Sequence, residues 1–184
     1  VLPAGAIIAR YLKVTPGQRF PEELDNRCWW DWHRGLQYTG VALSTVGLLA
    51  ILSVTGGSFA TWHGWIGLAV VLLGWGQVVA GWLRGSKGGP TAPGADPARP
   101  ETWRGDHFDM TRRRRIFEHV HKRGGWLALL LALLAVDSGA ALFGAPDWLM
   151  LLAALAWLCA LFAAAHFAAA GRRVDTYVAI WGPE

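Results

Sequence analysis

Charge is scarce in this chain. Only 16% of its 184 residues are Asp, Glu, Lys or Arg, against roughly 25% in an average soluble domain. With 53% hydrophobic residues beside it, that excludes a disordered chain. Cysteine is scarcer still. Cys28 and Cys159 alone build no disulfide framework and match no zinc spacing. Cys159 lies in an apolar run, where a thiol is a small hydrophobe. Strand-like alternation is missing from the apolar runs. The length suggests one domain.

What is present is long uncharged sequence. Leu36–Val54 carries no charge over 19 residues, and neither His63–Leu83 nor Trp148–Gly171 carries an acid, Lys or Arg. Gly124–Phe143 carries one charge, Asp137. Each run is long enough to cross a hydrocarbon core of about 30 Å as a helix. Helices and closed barrels are the only backbones a bilayer core accepts. The spans are therefore placed at 34–54, 63–84, 121–144 and 147–171. A further helix end precedes them. Residues 1–13 open on the apolar stretch VLPAGAIIA, followed by Arg10 and Lys13. A signal peptide has its basic flank first. The segment reads as the C-terminal end of a helix only partly present, the alternative being a short interfacial helix.

The short connectors TGGSFATW (55–62) and GAPD (144–147) contain no Lys or Arg, so all 17 basic residues fall on one side if the spans alternate. By the positive-inside rule that side is cytoplasmic. Trp29, Trp30, Trp32, Trp62, Trp65, Trp82 and Trp148 lie near the expected interfaces, as an aromatic belt does. The cytoplasmic linker 85–118 begins rich in Gly and Pro, and its first part is expected to be mobile and solvated. Residues 172–184 form a cytoplasmic tail. Arg112, Arg113, Arg114 and Arg115 pin the linker inside and touch anionic lipid head groups. A sharper reading makes them, with Lys122 and Arg123, an anion or electron-donor site. The basic residues sit at a membrane face, so no nucleic-acid partner is expected.

Ionisable groups in membrane helices tend to be functional, which turns attention to the six histidines. His33 and His121 open two different spans at the same side and so share a depth. That is what two imidazoles need to take both axial positions of one haem iron. His63 opens the intervening span at the opposite side and cannot reach them. His63 and Gly67 are four apart, as are His121 and Gly125. Residues four apart share a helix face, and a glycine there removes the side chain that would strike a flat porphyrin. Zinc would want more ligands converging at one depth. Asp137 and Gln77 are expected to make interhelical hydrogen bonds.

These residues resemble the transmembrane cytochrome b561 domain, especially the type linked to an outer DOMON domain. LPAGAIIARYLK is similar to the end of that family's first core helix, and WDWHRGLQ to its entry to the second. HGWIG followed by Gln77 resembles the third, and HVHKRGG, with Gly125, the fourth. The resemblance runs through nearly the whole chain. It implies an all-α polytopic membrane protein with a four-helix haem-binding core and an additional helix. It implies two b-type haems, one near each face. His33 and His121 would ligate the inner haem and His63 the outer one, whose second ligand would precede Val1. The chain is then either a fragment or a protein without the outer haem, and we expect the fragment. His119, about 200° round the helix from its rival, competes with His121, and the glycine register favours His121. His107 is expected to be a loop or donor-site residue, and His166 a polar residue facing the bundle.

The resemblance implies an electron-transfer oxidoreductase component in a membrane, here expected to be a bacterial inner membrane. Electrons would pass from an ascorbate-like or quinol donor on the cytoplasmic side to an outer redox domain or protein acceptor. The competing expectation is a membrane anchor or accessory subunit with structural haem or none.

Overall fold

The computed structural model describes residues 1–18, 27–57, 59–96, 98–175 and 178. Arg19 lies outside the described residues. The described chain is helical, with no strand among those residues. Five α-helices follow in order: α1 (Leu2–Tyr11), α2 (Cys28–Thr55), α3 (Trp62–Trp82), α4 (Arg112–Leu142) and α5 (Asp147–Ala169). The last four are long and apolar enough to cross a membrane. The protein is an all-α integral membrane protein.

The ends of these helices follow from local chemistry. Thr61 and Thr111 cap α3 and α4, their hydroxyls accepting the amides of Gly64 and Arg114, both at 3.3 Å. Such caps satisfy amides that the helix leaves unpaired. Helix α2 stops at Gly56, whose φ of 63° suits a residue without Cβ. Within α2, Ser44 and Thr45 return their hydroxyl protons to the carbonyls of Gly40 and Val41. No polar hydrogen of theirs is left facing lipid.

The helices close into a ring. Helix α1 runs antiparallel along α2, with Leu2 against Gly40. Helix α2 packs beside α3, joined by bonds from Trp75 to Thr45 at 3.1 Å and from Trp82 to Tyr38 at 3.0 Å. Helices α3 and α4 form the most extensive pair, and α5 returns to α1, where Tyr11 and Phe167 have ring centroids 6.0 Å apart. Arg172 beyond α5 donates to the Val14 carbonyl. Among the described residues the buried hydrophobic side chains are Val41, Val71 and Val78. Many large apolar side chains, among them Leu43, Leu49, Leu72, Leu161 and Phe162, are exposed. Lipid tails are as apolar as leucine, so a bilayer bundle has no need to bury them.

Helix α4 begins at Arg112, within the segment read as the linker 85–118, so the arginine run is helical. Ion pairs one turn apart hold it there: Glu118 accepts from Arg114 at 3.0 Å and from Lys122 at 2.7 Å. The connector before α4, whose first part was expected to be mobile and solvated, carries local hydrogen-bonded structure. It contains two single-turn helices, Gly89–Thr91 and Pro100–Thr102. Its two ends pair, His107 N–H to the Ser86 carbonyl and Phe108 N–H to the Lys87 carbonyl. The Asp106 carboxylate accepts from the Ser86 amide at 2.9 Å and from the Thr111 hydroxyl at 2.8 Å. Gly88 and Gly105 touch backbone to backbone at positive φ, a crossing that side chains would block.

Candidate haem-binding site

One end of the bundle carries the start of α2, the end of α3 and the start of α4, and with them most of the basic residues. There His33 on α2 and His121 on α4 meet, with ring centroids 6.3 Å apart and planes at 77°. A ring nitrogen binds a transition-metal ion at about 2 Å, so two imidazoles on opposite sides of one ion have centroids about 6 Å apart. The observed spacing matches that separation.

The tautomer of His33 is fixed from outside. Its Nδ1 lies 2.9 Å from the Gly5 carbonyl on α1. A carbonyl only accepts, so Nδ1 carries the proton and Nε2 keeps its lone pair for a ligand. Metal-binding histidines are ordinarily oriented in this way. One turn along α2, Gln37 donates to the Leu2 carbonyl at 3.0 Å, so two side chains clamp α1 to α2. Gly5 makes the approach possible: a Cβ there would stand 2.6 Å from the Gln37 amide. The His121 ring stacks on Phe117, with centroids 4.9 Å apart, and its Nδ1 is buried with no hydrogen-bond partner among the described residues. A desolvated imidazole of this kind gains from meeting a cation or metal rather than apolar surroundings. His119 is exposed on α4.

Around the pair lies a shell of aromatic rings and cations. Trp29 and Trp30 flank His33, and the Arg84 guanidinium sits 3.8 Å from the centre of the Trp30 ring, a favourable cation–π contact. Of the expected donor-site cations, Arg114 and Lys122 are paired with Glu118, and Arg113 donates to the Leu83 carbonyl at 2.7 Å. Arg112, Arg115 and Arg123 are exposed. His107 sits in the connector beside α4. Burial, then the charge of Arg114, pushes its pKa down to about 4.

His63 lies at the opposite end, on α3. Its Nδ1 is 3.1 Å from the Ser138 hydroxyl on α4, and Phe143 meets its ring edge-on at 6.4 Å. No second histidine makes a ring contact with it among the described residues. An open groove of about 570 Å³ runs past it between α4 and α5, lined in part by Asp137, Ala140 and Met150. A Cβ on Gly67 would meet nothing within 4 Å, and one on Gly125 only the Gln77 amide oxygen at 3.8 Å. Both positions leave a flat surface beside their histidines. Asp137 is exposed toward the groove, and the Gln77 carboxamide oxygen has no partner among the described residues. The interhelical bonds expected of these two are therefore not made. His166 is exposed on α5 rather than turned into the bundle. Three or more His, Cys, Asp or Glu side chains come together nowhere among the described residues. The site is a histidine pair, not a cage.

Gly5, Phe117, Ser138 and Gly139 support these histidines without having been singled out in the sequence, and Gln37 was noted there only as the end of WDWHRGLQ. Gln37 had a signal, its spacing of four from His33. Ser138–Gly139 had a weaker one, a polar and small pair interrupting an apolar span.

The family model for eukaryotic cytochrome b561 matches residues 17–84. A cytochrome b561, DM13 and DOMON domain-containing protein of Arabidopsis thaliana is 30% identical over 140 residues. The chain belongs to the cytochrome b561 family. The match to the plant protein covers 76% of this chain and 13% of the relative, so the chain corresponds to a small part of that protein. No solved structure gives a significant match. The family takes its name from b-type cytochromes, whose cofactor is haem. It fits the donor set found here, which is imidazole alone.

Proposed function

We propose that His33 and His121 are the two axial ligands of one haem b, and that through it the chain carries electrons across or within the membrane. The observation that carries this is the facing pair itself: two imidazoles at ion-sharing distance on separate helices, one locked in its Nδ1–H tautomer by Gly5. Haem held by two imidazoles has no open axial position, so it exchanges electrons rather than binding oxygen. The chain's own residues do the rest. Gly5 and Gln37 orient the α2 ligand, Phe117 holds the α4 ring in plane, and Trp29, Trp30 and Arg84 wall the end against water.

The basic end faces the cytoplasm in this reading, which the positive-inside rule supports. In a bacterial inner membrane an ascorbate-like or quinol donor would approach there. Arg112, Arg115 and Arg123 are exposed, outside both the Glu118 network and the Arg113–Leu83 bond, and would meet it. His63 serves a second haem at the far end, passing electrons to an outer acceptor. The DOMON domain in the relative's name makes an outer redox domain the natural candidate.

Haem b per chain, measured by pyridine haemochrome on purified protein, tests the pair. His33→Ala and His121→Ala are each expected to lose one haem, and the same one. His119→Ala is expected to lose none. Wild-type haem content in both of the first two variants would overturn the assignment. A folded wild-type protein with no haem would leave a membrane anchor.

A further inference from the structure

The far-end histidine is held as deliberately as the near-end one, and by the same helix that supplies His121. Ser138 lies 17 residues beyond His121 on α4, about 25 Å along the axis at 1.5 Å per residue. Its hydroxyl donates to the Leu134 carbonyl at 2.6 Å. A serine hydroxyl has one proton, and that bond uses it. Toward His63 Nδ1, at 3.1 Å, the oxygen can only accept. Nδ1 of His63 therefore carries the ring proton, and Nε2 keeps the lone pair. A carbonyl on α1 performs this office for His33, and a hydroxyl on α4 performs it for His63.

The next residue sets the position of the ring. A Cβ on Gly139 would stand 2.7 Å from Cε1 of His63 and 3.3 Å from both ring nitrogens. The imidazole thus lies directly on the α4 backbone, at a distance that any side chain would increase. Phe143, one turn further, closes the ring's edge at 84°. Acceptor and floor come from the last turns of α4 and the edge from the residue that caps it, while the ligand comes from α3.

We infer that Ser138 and Gly139 form the positioning cradle of the far-end haem ligand, and that the Ser138 hydroxyl tunes that haem's potential through the Nδ1–H of His63. This rests on the reading of His63 as a haem ligand. An acceptor on Nδ1–H makes the imidazole more basic. A more basic ligand favours the oxidised iron, so the bond lowers the potential of the one-electron couple.

The test is a potentiometric titration of the full chain, followed at the haem absorbance bands, with haem counted on the same samples. Ser138→Ala is expected to raise the potential of one component and leave the other in place. Ser138→Thr and Ser138→Val have nearly the same shape and differ in the hydroxyl. The threonine variant should titrate like wild type and the valine variant like alanine. Even if Ser138→Ala binds haem poorly, the threonine–valine comparison decides. Equal potentials for the threonine and valine variants, with His63→Ala losing a haem, would overturn the inference and leave the ligand reading standing. Full haem content in His63→Ala would overturn both.

Discussion

A backbone carbonyl decides which nitrogen His33 can offer. Gly5 has no side chain to hold its helix away, so its carbonyl reaches Nδ1 at 2.9 Å. Space at two other glycines separates packing from cofactor effects. A Cβ on Gly67 would meet no side chain of the described residues within 4 Å, whereas one on Gly139 would lie against His63. Gly67→Leu is expected to keep wild-type helix content by circular dichroism yet lose one haem, because its side chain would occupy the porphyrin's place. Gly139→Ala is expected to weaken binding of that haem by displacing the ring. Full haem in Gly67→Leu would contradict the role given to that glycine. The histidines were legible in the sequence because ionisable residues are rare in such runs. Apart from Gln37, their supports were hardly so. The partner of His63 stands 75 positions away, and nothing local to either residue announces the other.

At the scale of elements, helices were legible and the connector was not. An uncharged run of about 20 residues has few alternatives to a membrane helix. Gly- and Pro-rich sequence has two, a solvated linker or a set of tight turns. Here the same glycines allow the backbone crossing of Gly88 and Gly105, and Asp106 secures it. The start of α4 at Arg112 was equally hidden, since four arginines resemble a loop until Glu118 is seen to pair with Arg114 and Lys122. The connector should respond to acid. His107 stays neutral down to about pH 4 in the fold, against an ordinary value of 6.5. The unfolded connector therefore binds more protons between those limits, and stability falls as pH drops from 6.5 toward 4. Hydrogen bonds from Ser86 and Thr111 hold the Asp106 carboxyl below its usual range. Its contribution, present at neutral pH, is lost as pH falls through that lowered value. Both groups act in the same direction. Hydrogen-exchange protection at the His107 and Phe108 amides, corrected for intrinsic rates, should decrease from pH 7 to pH 4.5. His107→Gln should flatten the decrease. Constant protection in the wild type would contradict the burial of His107.

The whole molecule is a ring of helices with an apolar exterior and a histidine site toward each end. Its class was readable from the length of the apolar runs, and its sidedness was argued from the placement of all 17 Lys and Arg. What the sequence could not supply was the meeting of α2 and α4. The two helices are joined through α3 and a folded connector, and depth matching alone did not give a distance. That meeting is the centre of the account. Electron paramagnetic resonance of the oxidised protein tests it most directly. Two imidazoles on one iron give a low-spin signal, and planes at 77° give it the strong anisotropy of near-perpendicular ligands. Such a signal is expected, with the His33–His121 component lost alike in His33→Ala and His121→Ala and retained in His119→Ala. Survival of the full signal in either of the first two variants, with no component lost beyond what a second haem at His63 contributes, would contradict the account.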